Sequence, residues 1–164
     1  MTSHVADVST NSHLFAHTRE ALSRIATDVL DLAKGGGASA SEVEISEGFG
    51  QSVNVRQGEV ETIEHHRDKQ VGVTVYLGQR KGYASTSDFS GEALQATVRA
   101  ALDIARFTAE DPVAGLPDEK DIALHHPDLD LFHPWNITSA DAATLALRCE
   151  AAAMQTDKRI TNSE

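Results

Sequence analysis

Eight histidines make metal chemistry the first question the sequence raises. His13 and His17 stand four residues apart, which on a helix sets both imidazoles on one face. A zinc-protease helix of the His-Glu-x-x-His kind needs a glutamate directly after its first histidine as general base. Leu14 holds that position here. His65 and His66 are adjacent, so on a strand they point to opposite faces and cannot readily share an ion. His125, His126 and His133 lie near Asp128 and Asp130 in a proline-rich stretch that lacks tight ligand spacing and reads as a solvated loop. No residue is assigned to a metal.

Nucleophiles fare no better. Cys149 falls on a predicted helix at the spacing of its apolar face, with Ala142, Leu145 and Ala152, and is expected to be a small buried hydrophobe. Ser85-Thr86-Ser87-Asp88 precedes a helix, where turn formation and capping account for its hydroxyls. There is no Gly-x-Ser-x-Gly elbow. Gly35-Gly36-Gly37 follows a helix instead of leading from a strand into one, the wrong polarity for a dinucleotide loop. Glu59 and Glu61 share a strand face and could pose as an acid/base pair, but glutamates on the wet side of a sheet explain them. Catalytic and cofactor-binding residues are therefore assigned to none.

The elements behind these residues are easier to read. Leu22, Ile25, Ala26, Val29 and Leu32 or Ala33 recur at helical spacing up to Lys34, and the glycine triplet stops that helix. From Glu42 to Asp88 the period drops to two: Val43 and Ile45, then Val53 and Val55, then Val60. The clearest run is Val71, Val73, Val75 and Leu77, closed by Gly78. One face should pack and the other stay wet. The parity of Val60 and Ile63 disagrees, predicting a bulge or strand break between Thr62 and Lys69. Ser90 caps a second helix to about Thr108, with Leu94, Val98, Leu102 and Ala105 as its stripe. Thr138-Ser139-Ala140-Asp141 starts a last helix, Ala140 to Gln155.

The expected fold class is α+β, an antiparallel meander of about four to five strands packed by two to three helices. Residues 1–12 read as a disordered lead, 13–111 as the α+β domain and 112–137 as a connector holding all four prolines. Residues 138–164 read as a helix and the start of an interrupted further element. Phe132 and Trp135 in the connector are the candidate partner-docking residues.

Composition excludes several classes. With 25 acidic and 14 basic side chains the net charge is −11, which opposes direct nucleic-acid binding. No apolar run approaches a membrane span, and the first residues lack the pattern of a secretory signal. A single cysteine fits a reducing cytoplasm.

Two stretches go further. Ala40-Ser41-Glu42-Val43-Glu44-Ile45-Ser46-Glu47-Gly48 with Val53-Asn54-Val55-Arg56-Gln57-Gly58-Glu59-Val60-Glu61 resembles the amino-terminal strands of the TldD/PmbA family. So does Asp68-Lys69-Gln70-Val71-Gly72-Val73-Thr74-Val75-Tyr76, running on through Ser85-Thr86-Ser87-Asp88-Phe89. Shorter matches include Asp128-Leu129-Asp130-Leu131, His133-Pro134-Trp135 and Arg159-Ile160-Thr161-Asn162-Ser163-Glu164, and the blend is similar to the PmbA (TldE) branch.

The resemblance implies an amino-terminal portion of a longer protein, partnered with a TldD-like subunit in a cytosolic metalloprotease heterodimer that acts on unfolded peptides and matures peptide antibiotics. It places zinc in the TldD branch only, through a His-Glu-x-x-x-His helix that this sequence does not contain. The implied role is non-catalytic: partner binding and substrate guiding. The alternatives are a stand-alone regulatory or binding module, such as a DNA gyrase modulator, and a fragment without function of its own.

Overall fold

Thr18 opens the first helix by accepting a hydrogen bond from the Ala21 N–H through its hydroxyl, and α1 runs Arg19–Gly35. The computed structural model describes residues 14–125 and 127–163 of the chain. The expected disordered lead, together with His13, lies outside the described residues, as does His126. After the glycine triplet come β1, Ala40–Arg56, and β2, Glu59–Leu77. Gln57 and Gly58 join them with φ of 53° and 81°, the pair of positive values a two-residue hairpin turn requires. Gly78, at φ 62°, begins the turn into β3, Arg80–Thr86. The sheet order is β1-β2-β3.

Among the described residues three strands replace the four to five expected, because β1 passes unbroken through Gly48-Phe49-Gly50 and β2 through Thr62 to Lys69. Residues 59–70 are exposed on both faces, so nothing there enforces the two-residue parity that the slip at Ile63 violates. The wet face of β2 is also covered near its end. Gly72, Thr74 and Tyr76 are buried beside Val71, Val73 and Val75. The Tyr83 ring lies over Gly72, and the Tyr76 hydroxyl donates to Glu42 Oε1 at 3.2 Å. Burial, and then the neighbouring Glu42 charge, push the Tyr76 phenol above its ordinary pKa.

Ser90 caps α2, Gly91–Phe107, as its position predicts, with the Ala93 N–H donating to Oγ. Leu94, Val98, Leu102 and Ala105 are buried as the stripe requires, whereas Ile104 beside them is 47% exposed. They close a core with Val29 and Ala33 of α1 and Val71, Val73 and Val75 of β2. A short 3-10 turn, Glu119–Asp121, interrupts the connector, and α3 spans Ser139–Thr156. Thr138 caps it, taking the Asp141 N–H at 3.1 Å while donating to the Asp141 carboxylate at 2.6 Å.

The described chain forms two compact units. One comprises the residues up to Gly48 together with Asp68–Leu124, and the other Phe49–Arg67 with the residues from His125 onward. Both long strands contribute to each.

In the first unit Glu47 anchors the segment ahead of α1. Its carboxylate accepts the Ala16 N–H at 2.7 Å and the His17 N–H at 3.1 Å, and Oε2 lies 3.1 Å from His17 Nδ1. The His17 ring packs on Phe89 at 5.3 Å, and the Lys69 ammonium sits 4.7 Å over the same ring. Burial draws the Glu47 pKa upward, but the three hydrogen bonds outweigh it and hold the carboxyl below its ordinary 4.5. The native state thus favours ionised Glu47 more than the unfolded chain does. Its stabilisation is present above pH 4.5 and is lost as pH falls through the lower native value. Thermal unfolding of wild type and Glu47→Gln should therefore differ at pH 7, and the gap should narrow as pH falls below 4.5. A constant gap between the two would remove this account of Glu47.

Candidate functional site

The second unit is assembled by polar contacts at the two ends of α3. Near its start, the Gln51 amide donates Nε2–H to the Ile137 carbonyl and accepts the Ser139 hydroxyl on Oε1, both at 3.2 Å. His65 Nε2 lies 3.2 Å from the same Ser139 oxygen. At the far end Glu150, 6% exposed, accepts the Gly58 N–H at 2.8 Å and the Ser163 hydroxyl at 2.5 Å. The Ser163 bond, then the Gly58 and Gln57 N–H groups, hold this carboxyl below its ordinary range despite burial. Glu150 therefore accepts from both donors of the hairpin turn.

Between these attachments the facing surfaces are apolar and stand apart. Phe49, Val53, Trp135, Ile137, Leu145 and Cys149 line an open trough of about 630 Å³. Alternation on β1 sends Phe49, Gln51 and Val53 to one side. The i, i+3, i+4, i+7 spacing of Ala142, Leu145, Ala146 and Cys149 turns one stripe of α3 toward the same space. Trp135 remains 70% exposed and Leu145 41%. Among the described residues this unit buries Glu150 and no apolar side chain; the core residues all belong to the first unit. Apolar side chains brought against such a surface are removed from water.

Trp135 lines the trough, while Phe132, 40% exposed, does not line it. Cys149 is exposed at the trough wall, which corrects the expectation of a buried hydrophobe: its helix stripe faces open space instead of a core. His65 joins the Ser139 contact, and the His66 ring lies over Gly50, so the pair does point to opposite faces. Glu59 and Glu61 are exposed. Among the described residues no three His, Cys, Asp or Glu side chains are grouped to hold a metal ion. No described helix is long and apolar enough to cross a membrane. Glu150 was missed in the sequence; the one available signal is a glutamate continuing the apolar helix stripe four residues after Ala146.

Fold and site together define an α+β domain built on one long hairpin, with an open apolar trough along its turn-proximal half. A family pattern described as "PmbA/TldA metallopeptidase domain 1" matches residues 41–105. The chain is 49% identical to Metalloprotease PmbA of Escherichia coli over 146 residues, 89% of this chain and 32% of that protein. It is 46% identical to a Metalloprotease PmbA homolog of Haemophilus influenzae over 82% of this chain and 30% of that one. The chain thus spans about a third of the length of the curated relatives it matches. It belongs to the TldD/PmbA family and carries the amino-terminal portion of its members.

Solved structures share the fold. A Bacteroides thetaiotaomicron protein described as a modulator of DNA gyrase superposes with a TM-score of 0.74 at 22% identity, over 88% of this chain and 33% of that one. TldE from Thermococcus kodakarensis gives 0.61 at 14% identity, over 82% and 30%.

Proposed function

We propose that this chain is a non-catalytic amino-terminal domain of a PmbA/TldE-type subunit, which supports proteolysis or maturation of unfolded peptides by docking onto a TldD-like metalloprotease partner in the cytoplasm. The zinc and the hydrolytic step belong to that partner, and this domain contributes binding and substrate guiding. One observation carries the reading. Among the described residues the second unit buries no apolar side chain, and several of its apolar groups line a trough with Trp135 at its wall. Large exposed apolar surface of this kind marks an interaction site. Covering a tryptophan that is 70% exposed contributes about 3–4 kcal/mol before association costs. Phe132, two-fifths exposed on the same connector, extends the docking strip.

Trp135→Ala should weaken the complex with a TldD-like subunit about thirtyfold, or roughly 2 kcal/mol, as truncation of an aromatic anchor does. Surface-captured partner titrated with wild type and variant reads this directly. Equal affinities, or no complex with the wild type, would overturn the assignment of the trough. A supercoiling assay separates the alternative of a stand-alone gyrase-directed module, which requires an effect on gyrase that the docking role does not.

A further inference from the structure

β3 pairs with β2 only from Val71 to Leu77. β1 occupies the other side of β2, so among the described residues the outer edge of β2 from Glu59 to Arg67 has no strand beside it. Every residue on this stretch is exposed. The strand is unbroken and holds no proline, so its free N–H and C=O groups continue in register for nine residues, about 30 Å. Edges are ordinarily blunted by proline, lysine, bulges or very short length. Here the blunting is selective: the charged side chains are Glu59, Glu61, Glu64 and Arg67, and Arg56 of β1 lies 3.9 Å from Glu61, which leaves the stretch acidic on balance. Like charges opposite one another across a strand pair destabilise it, and opposite charges favour it. Such an edge opposes a second copy of this chain, whose net charge is −11, and admits a basic segment.

We infer that the edge of β2 from Glu59 to Arg67 receives an extended basic peptide segment by strand addition. Main-chain groups supply the attachment. The acidic side chains near the turn set the charge preference, and Val60 and Ile63, 40% and 46% exposed, offer an aliphatic contact on each face. Pairing of this sort needs no fixed sequence in the guest and requires it to be unfolded. The inference rests on the proposed supporting role only in identifying the guest as a protease substrate.

The test uses the whole chain and a fluorescent peptide of alternating lysine and valine, as long as the edge. Two companions are its glutamate-for-lysine counterpart and a version N-methylated at every second residue along one edge. Anisotropy gives affinity, and amide hydrogen exchange gives location. The lysine peptide should bind and slow exchange between Glu59 and Arg67, with both companions about tenfold weaker or more. Glu59→Lys combined with Glu61→Lys, both exposed positions, should reverse the charge preference.

Equal binding of the N-methylated peptide would overturn strand addition, and so would exchange that slows elsewhere or nowhere. A preference unchanged by the double variant would overturn the charge assignment. A failed partner titration leaves these outcomes readable, since they involve no second protein.

Discussion

Gly82→Val should destabilise the chain by about 3 kcal/mol or more, the largest loss expected from any single exposed-or-buried glycine here. Gly82 is buried opposite Val75 in the β2–β3 ladder. A Cβ on it would collide with the Ala101 carbonyl oxygen and approach the Ala105 N at 2.6 Å and its Cβ at 3.0 Å. Two of those atoms are helix backbone, which cannot step aside without lifting α2 from the sheet. Ala101 and Ala105, both fully buried, show the same economy from the helix side, where small residues let the two backbones meet. Urea denaturation followed by far-ultraviolet circular dichroism measures the effect, and an unchanged midpoint would show that α2 does not depend on this contact. Gly50 is the useful control. There the obstacle is the His66 ring at 2.5 Å, a side chain free to rotate, so Gly50→Ala should cost far less.

Leu102→Ala comes second, at about 3 kcal/mol, the usual cost of emptying a buried leucine site. Leu102 is 4% exposed in the core of the first unit, and a Cδ1 methyl lies against the Cα of Gly36 where a side chain there would begin. The two positions are therefore coupled. Gly36 has φ −79°, which alanine adopts freely, so Gly36→Ala in the wild type is opposed mainly by this methyl and by the Leu32 carbonyl at 3.3 Å. In the Leu102→Ala background the added methyl enters space that has just been vacated. The double variant should be more stable than the sum of the singles by about 1 kcal/mol. Strict additivity would show that the loop and α2 do not share this volume.

Local signals with a physical mechanism were legible in the residues. Ser90 and Thr138 announced helix starts because a side-chain oxygen before an apolar stripe satisfies a free N–H, and both do so in the structure. Val71, Val73 and Val75 of β2 announced a buried face. Signals that depend on distant partners were not legible. Gly48-Phe49-Gly50 looks like a break until His66 is seen lying over Gly50, with the strand running on beneath it. Cys149 keeps the spacing of a buried residue, but burial needs a surface opposite, and spacing along one helix carries no information about it. Glu150 shows its role only once the hairpin turn is placed against it. Trp135 was recognisable as an apolar group without a core, while the trough it lines depends on strands and a helix far apart in sequence.

That separation has a consequence for the order in which the chain assembles. Glu150 and Gly58 are 92 residues apart, as are, nearly, Ser139 and Gln51 at 88. Closing so long a loop has an entropic cost that must be met before its few polar contacts return anything. The elements of the first unit, by contrast, gain a buried core as they meet. On a ribosome, the hairpin tip therefore emerges and waits, held by its own ladder, until α3 has been synthesised. During that interval its apolar side is open to whatever is nearby, and chaperone capture at this stage should fall on residues 49–67 rather than on the finished core.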